Sequence, residues 1–198
     1  MRTVYLDNNA TTMVSREVLD EMLPFFHDRY GNPSSMHSFG GQVARELSQA
    51  RARVASLLGV DPEEIIFTSC GTESDNTAIM STLLVNPGKT HIVTSRVEHP
   101  AIKVLCEHLA QKGYRVTMVG VDSDGRLDMD EYEASLTPDT AIASIMWANN
   151  ETGVVFPVEE AARLARERGI VFHTDAVQAV GKIPIDMKDN AIDMLSLS

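Results

Sequence analysis

The sequence predicts an α/β fold built around a mostly parallel, doubly wound sheet. From about Glu63 onward, helical and strand-like patterns alternate along the chain. The run 141–147 is almost continuously apolar, which is typical of a strand that is buried on both faces of a sheet. Strands that alternate with helices in this way indicate parallel pairing, because parallel neighbours need a crossover connection.

The first sixty residues depart from this pattern. A predicted helix from Ser15 is interrupted or kinked near Pro24, since proline removes a backbone donor and clashes with the preceding turn. A loop rich in Gly, Asn, Pro and Ser follows at 31–35, and a long amphipathic helix then ends at Gly59. We expect this segment to belong to a second layer or a small domain rather than to the sheet.

The remaining elements follow from local patterns of apolar, β-branched and turn-forming residues. The predicted strands are 64–68, 91–94, 114–119, 141–147, 170–174 and 192–198. The predicted helices are 72–84, 101–112 and 158–168, of which the last two end at Gly113 and Gly169. A turn is predicted at 122–125.

Composition excludes several function classes. The formal net charge is −11 and no cluster of Lys and Arg occurs, so a nucleic acid is not an expected partner. No apolar run approaches the roughly 18 residues that a membrane span requires. The amino terminus has neither the apolar stretch of a signal peptide nor the Arg/Ser-rich character of a transit peptide. We therefore expect the protein to be cytoplasmic.

Cysteine and histidine spacing gives no sign of a metal site or a disulfide framework. The two cysteines, Cys70 and Cys106, form no CxxC pair, which fits a reducing compartment. The six histidines show neither HExxH nor His-x3-His spacing.

Polar residues after the predicted strands are the candidates for chemistry, because open parallel sheets bind ligands beyond the carboxyl ends of their strands. Four segments qualify: 68–74, 97–100, 149–153 and 173–178.

The first segment is a turn of small residues before a helix. Gly71 permits close approach of a ligand, and Thr72 adds a hydroxyl to the backbone donors of a helix start, which suits a phosphate. The alternative is that Thr72 only caps the helix. Neither a Walker A sequence nor a GxGxxG pattern is present. Cys70 lacks the flanks of a nucleophile elbow, so a small buried or half-buried thiol is the favoured interpretation.

The other three segments each allow two interpretations. His99 is suited to proton transfer or ring stacking, or it is structural. Asn149 and Asn150 are suited to fixing the polar edge of a ligand, or they satisfy their own turn. Asp175 is suited to holding a cationic ring nitrogen at a buried strand end, or it caps a helix.

Taken in this order, several strings resemble the NifS/IscS family of cysteine desulfurases, within the class V aminotransferase group of pyridoxal-phosphate enzymes. The resemblance extends over essentially the whole chain, and the versions at 68–74 and 146–153 look most similar to the NifS branch. The strings are Tyr5 to Thr12, Gly31 to His37, Phe67 to Asn76, Val97 to Pro100, Met146 to Gly153 and His173 to Gly181.

The resemblance implies the large domain of a fold type I pyridoxal-phosphate enzyme, with pyridoxal 5′-phosphate as cofactor. It implies that Gly71, Thr72 and Ser198 contact the cofactor phosphate. It places His99 over the pyridine ring and Asn150 at the edge of that ring.

For the ring substituents, the resemblance implies that Asp175 pairs with the pyridine nitrogen and Gln178 with the phenolate oxygen. A carboxylate at this nitrogen keeps it protonated, so that the ring can withdraw electrons from the α-carbon of a substrate.

The resemblance also predicts the domain organisation. Residues 1–14 are expected to associate with a small domain, and residues 15–198 to form a truncated large domain without the carboxyl-terminal small domain. The family pattern continues after Ser198 with Gly-His-Lys, whose lysine forms a Schiff base, and later with a cysteine that carries a persulfide. Cys70 and Cys106 do not match that cysteine. We therefore predict that the chain as given recognises the cofactor without turnover.

The implied reaction converts L-cysteine to L-alanine and leaves an enzyme persulfide for iron–sulfur or nitrogenase cofactor assembly. The implied partners are an iron–sulfur scaffold protein that accepts the sulfur and, at full length, a second subunit of a homodimer. Two alternatives remain open from the sequence: a selenocysteine lyase or another class V enzyme, and a non-catalytic fragment.

Overall fold

The computed structural model describes residues 3–188 and 190–198, which divide into two compact units. One unit extends to Ile66 and the other comprises Phe67–Ser198. The predicted domain boundary between residues 14 and 15 stays a prediction.

The amino-terminal unit is helical, as the sequence predicts. The helices are α1 (Arg16–Met22), α2 (Pro24–His27) and α3 (Ser38–Leu58). The Ser15 hydroxyl caps α1 by accepting a hydrogen bond from Val18 N at 3.3 Å, a type of cap that contributes about 1 kcal/mol. Pro24 separates α1 from α2, which confirms the predicted interruption. Gly59 ends α3 in the left-handed region at φ 73°, where only glycine avoids a steric cost.

The predicted strand at 64–68 is wrong. Pro62–Glu64 forms a 3₁₀ turn, and the following residues are extended without pairing to any described strand. The Arg51 guanidinium donates to the Ile65 carbonyl, so a side chain supplies the hydrogen bond that a neighbouring strand would provide. The Ile66 side chain is exposed. Its β-branched composition favours a strand only where a sheet offers a partner.

The second unit contains a five-stranded parallel sheet, which confirms the predicted fold class. The strands are β1 (His91–Ser95), β2 (Arg115–Val119), β3 (Thr140–Ser144), β4 (Val171–Asp175) and β5 (Met194–Ser196). Their spatial order is β2-β1-β3-β4-β5, and all neighbours are parallel. The chain therefore winds outward from β1 in one direction and from β3 in the other, and a ligand crevice is expected where this order reverses.

Four helices cover the two faces of the sheet. They are α4 (Gly71–Val85), α5 (Pro100–Gln111), α6 (Met129–Ser135) and α7 (Val158–Glu167). On one face, Ile79 and Ile102 from α4 and α5 are fully buried against Ile92 and Ile142 of the sheet. Each such side chain contributes about 1.5–3 kcal/mol by leaving water. No helix within residues 3–188 and 190–198 is both long enough and apolar enough to cross a bilayer, and α3, the longest of them, is too polar.

The opposite face explains why α6 was missed from the sequence. This helix is short and polar, and it buries one large side chain, Tyr132. The Tyr132 hydroxyl donates to the Ala161 carbonyl on α7 at 2.9 Å. Tyr132 and Ala161 pack in the same apolar cluster as Val93 and Phe172 of the sheet. A single anchor residue produces no periodic apolar pattern, so the helix depends on tertiary packing.

Candidate active site

Three segments meet at the carboxyl edge of the sheet around Gly71. A Cβ placed on Gly71 would lie 3.4 Å from Val177 Cγ2 and 3.7 Å from Ser198 Cβ. The amino terminus of α4, the turn after β4 and the segment after β5 are therefore neighbours. The structure thus brings together three predicted places: the turn with Gly71, the Asp175 strand end and Ser198.

The amino terminus of α4 offers backbone donors to an anion. Cys70 is the residue before the helix, and its side chain makes no capping hydrogen bond. Its thiol is exposed at the turn, so the prediction of a buried or half-buried thiol is wrong. Thr72 lies inside the first turn and is exposed, so it does not cap the helix. The Glu73 backbone N–H and the Ser69 hydroxyl lower the pKa of the exposed Cys70 thiol, against the opposing charge of the Glu73 carboxylate. The helix dipole of 15 residues acts in the same sense.

Asp175 is a buried carboxyl at the end of β4, with 6% of its surface exposed. Its main-chain carbonyl accepts a hydrogen bond from Trp147 N at 2.8 Å, and its Oδ1 accepts one from Val177 N at 3.0 Å. Burial raises the pKa of Asp175, while the Val177 N–H and the charge of His99 oppose that rise. The second carboxylate oxygen is thus suited to a cationic ligand atom, and a regular helix does not follow this residue.

His99 lies at the start of α5, on the exposed side of the same edge. Its Nδ1 accepts a hydrogen bond from Ala101 N at 3.2 Å, so the residue caps α5. A ring whose Nδ1 is an acceptor carries its hydrogen on Nε2 when it is neutral. The capping hydrogen bond therefore sets the orientation of the His99 ring. The same ring lowers the pKa of Asp175 electrostatically.

The two asparagines have different surroundings. Asn149 is buried and organises its own turn, since its Oδ1 accepts from the N–H groups of Glu151 and Thr152 at 3.0 and 2.9 Å. Its Nδ2 donates to the Val97 carbonyl at 3.1 Å. Asn150 is half-buried, and its Nδ2 donates to Glu151 Oε1 at 2.9 Å. The role of Asn150 at the edge of a cofactor ring stays a prediction.

Gln178 and Lys182 lie in the turns after β4. The Lys182 ammonium donates to Gln178 Oε1. Lys182 therefore lies next to one of the predicted site residues. Gln178 itself is half-buried and three residues after Asp175.

A buried polar cluster next to Asp175 was not predicted. His173 is fully buried and lies on the same face of β4 as Asp175, because alternate residues of a strand share a face. Its Nδ1 is 2.9 Å from Ser144 Oγ and its Nε2 is 3.0 Å from Ser196 Oγ. Burial lowers the pKa of His173 to about 4, so the ring is neutral at pH 7. The alternation of His173 and Asp175 was the available sequence signal.

Two further carboxyls belong to this edge. Asp75 on α4 is 1% exposed, and its Oδ1 lies 3.7 Å from His173 Nε2. Burial, followed by the charge of Asp175, raises the pKa of Asp75 to about 7. Glu98 accepts hydrogen bonds from Ser95 Oγ at 2.6 Å and Met146 N at 3.0 Å, and burial raises its pKa to about 8.

The groups at this edge fit the two charged parts of pyridoxal phosphate. An anion-favouring helix start and a buried carboxylate lie at one edge of the sheet, where they would meet a phosphate and a cationic ring nitrogen respectively. No group of three His, Cys, Asp or Glu side chains suited to a metal ion occurs in the part of the chain that the structure describes.

Comparison with known proteins gives a consistent picture. The family model of aminotransferase class V matches residues 4–198. The chain is 57% identical over 198 residues to a cysteine desulfurase of Nostoc sp., covering all of this chain and 50% of that protein. It is 58% identical to the cysteine desulfurase NifS of Azotobacter vinelandii, covering 100% of this chain and 49% of the relative. The chain thus spans about half the length of the curated relatives it matches.

Solved structures agree. A NifS-like protein superposes with a TM-score of 0.95 at 41% identity, covering 98% of this chain and 54% of the other. SspA in complex with cysteine superposes with a TM-score of 0.96 at 38% identity, covering 99% of this chain and 57% of the other.

Proposed function

Because the chain belongs to the aminotransferase class V family, we propose that it forms the cofactor-binding part of a pyridoxal-phosphate-dependent cysteine desulfurase. The observation that carries the proposal is the position of the buried Asp175 carboxyl beside the amino terminus of α4, at one edge of a parallel sheet. Curated relatives named cysteine desulfurase support the choice of reaction.

Gly71, Thr72 and Ser198 would hold the cofactor phosphate. Gly71 leaves space beside Val177 and Ser198 that a side chain would occupy. The Thr72 and Ser198 side chains are exposed, so their hydroxyls are open to a ligand. A phosphate at this place would interact favourably with the dipole of α4.

Asp175, Gln178, Asn150 and His99 would orient the ring. The bound cofactor supplies an electron sink for the α-carbon of the substrate. Asp175 would hold a proton on the ring nitrogen, because a nearby cation stabilises the ionised form of a buried carboxyl. Gln178 and Asn150 would donate amide hydrogen bonds at the edge of the ring. The exposed His99 would move protons at the ring.

The substrate would be L-cysteine, whose sulfur passes to a cysteine thiol of the protein. One carbon–sulfur bond is broken and one sulfur–sulfur bond is formed, so the products are L-alanine and a persulfide. The relative from Azotobacter vinelandii carries the name NifS, which favours iron–sulfur or nitrogenase cofactor assembly as the destination of the sulfur. An iron–sulfur scaffold protein in the cytoplasm would accept that sulfur from a homodimer.

The test is release of L-alanine from L-cysteine by the complete protein, compared with its Asp175→Asn variant. The variant keeps the shape of the side chain but cannot hold the ring proton by charge, so we expect turnover to fall at least about a hundredfold. Asp130→Asn, on the exposed start of α6, removes the same charge elsewhere and should turn over normally. Turnover of selenocysteine but not cysteine would contradict the proposed substrate.

A further inference from the structure

We propose that Asp75 is a positioning residue, which supplies a second, pH-dependent negative charge beside Asp175 and thereby strengthens the hold of the site on a cationic ring nitrogen. The inference rests on the proposed function and concerns a residue that would not itself touch the cofactor. It is supported by the burial of Asp75 and by its distance of 3.7 Å from His173 Nε2, beside the strand pair of Asp175 and Ser196. The electrostatic effect of Asp175 on Asp75 agrees with this arrangement.

The Asp75 carboxyl is held in a place where it cannot reach bulk water. It lies on α4 four residues after Gly71 and is 1% exposed. Among the described residues, none makes a hydrogen bond to its Oδ1. A buried carboxyl oxygen without a hydrogen bond costs free energy, so retention of an acid here in place of an apolar side chain calls for a role.

The neighbouring side chains set up a polar chain that ends at Asp75. Ser144 Oγ and Ser196 Oγ lie on either side of the His173 ring, and Asp75 Oδ1 is 3.7 Å from His173 Nε2. The nearby Ser196 hydroxyl favours the ionised form of Asp75 and opposes the rise of its pKa. Because His173 is neutral, it provides polar contacts but no compensating charge.

The acidic groups that interact with Asp75 are Asp175 and Glu98, and a histidine acts on Asp175 in turn. Asp175 on β4 repels a negative charge on Asp75 and raises its pKa. Glu98, at the turn before α5, is buried and has a pKa raised to about 8, so it is mostly neutral where Asp75 titrates. His99 acts on Asp175 and lowers the pKa of that carboxyl. The edge therefore holds three buried acids with raised pKa values, and the pKa of Asp75 is about 7.

A bound cation changes this balance. A protonated ring nitrogen at Asp175 offsets the repulsion that keeps the proton on Asp75, so Asp75 ionises at a lower pH in the complex. By linkage, the cation binds more tightly as the pH rises through 7 and Asp75 loses its proton. An increase of about three- to tenfold in affinity corresponds to a fall of about half to one unit in the pKa of Asp75.

The experiment measures binding of pyridoxamine 5′-phosphate, which attaches without a covalent bond, to the complete protein freed of cofactor. Calorimetric titrations at pH 6 and pH 8 compare the parent, Asp75→Asn and the exposed control Asp130→Asn. A second probe has a carbon in place of the ring nitrogen. Titration of the phosphate occurs with both probes and in all three proteins, so it cancels in the comparison.

We expect the ratio of affinities at pH 8 and pH 6 to be about two- to fivefold larger in the parent and Asp130→Asn than in Asp75→Asn, with the nitrogen-containing probe only. An equal ratio in Asp75→Asn, or a difference that persists with the carbon analogue, would overturn the inference while leaving the proposed function intact. Equal binding of the probe by the parent and Asp175→Asn would refute the proposed site itself, and the inference with it.

A measurement on the parent alone covers the case in which Asp75→Asn does not fold. The ring ¹⁵N signals of His173 should shift with a midpoint near pH 7 as Asp75 titrates 3.7 Å away. Addition of pyridoxamine 5′-phosphate should move that midpoint to lower pH. An unchanged midpoint would refute the coupling between Asp75 and the ring nitrogen.

Discussion

Glu98→Gln should stabilise the protein at neutral and alkaline pH, because folding holds a proton on this buried side chain where the unfolded chain ionises it. The Glu98 side chain is 5% exposed, and its Oε1 accepts both hydrogen bonds that the structure shows for it, from Ser95 and Met146. Glutamine can keep these two bonds through its own oxygen. Within the described residues Oε2 has no hydrogen-bond partner, so its replacement by an amide breaks no hydrogen bond.

The magnitude follows from the pKa of Glu98. Burial raises this pKa from 4.5 to about 8, so between these pH values the folded protein binds a proton that the unfolded chain has lost. Stability therefore falls as the pH rises through this range. Each pKa unit corresponds to about 1.4 kcal/mol, which makes the cost about 3 kcal/mol at pH 7 and up to about 5 kcal/mol above pH 8. Glutamine does not titrate and avoids this cost.

The assay is urea denaturation of parent and variant at pH 5, 6, 7 and 8, with the free energy of unfolding obtained by linear extrapolation. The difference in free energy between Glu98→Gln and the parent should grow in favour of the variant as the pH rises. Glu107→Gln, on the exposed side of α5, is the matched control and should show no such trend. A difference that stays constant from pH 5 to 8 would refute a neutral, buried Glu98.

Three other predictions concern acid stability, a helix end and the covalent chemistry. Burial, assisted by Arg115, lowers the pKa of His91 from 6.5 to about 4, so His91 destabilises the folded protein as the pH falls from 6.5 towards 4. In acid denaturation curves, His91→Gln should reduce this loss of stability by up to about 3 kcal/mol. Gly59→Ala should destabilise the protein by about 1 kcal/mol, because Gly59 has a φ of 73°. Gly41→Ala, inside α3 where a Cβ meets no neighbour, should stabilise the protein slightly, and thermal melts of both variants test the pair. Borohydride reduction of the 198-residue chain with pyridoxal phosphate should label no specific lysine by mass spectrometry, and specific labelling of Lys182 would contradict our prediction of recognition without turnover.

Local chain geometry could be predicted wherever one residue type decides it. Proline at position 24 interrupts the first helix and glycine at position 59 ends the third, because backbone freedom depends on the residue itself. The strand at 64–68 could not be predicted correctly, since strand formation requires a neighbouring strand that this segment does not have. Helix α6 was missed because its stability comes from one buried tyrosine rather than from a repeating pattern.

The candidate site shows the same division. The seven residues proposed for the cofactor came from their resemblance to a family, and their roles remain predictions. The structure shows that Gly71 lies next to Val177 and Ser198, although both follow it by more than a hundred residues in the sequence. It also shows that the Asn149 side chain organises its own turn, whereas the Asn150 side chain donates to Glu151.

The sequence by itself determined the parallel α/β fold, the family and the strand ends at which chemistry is expected, because periodicity and short motifs are local properties of the chain. Only the tertiary structure decided which acids share one electrostatic environment. Asp75, Glu98 and Asp175 lie on different elements, and their pKa values rise because folding removes them from water together. Burial and the distance between charges arise from the packing of the whole unit, so no motif in the sequence reports them.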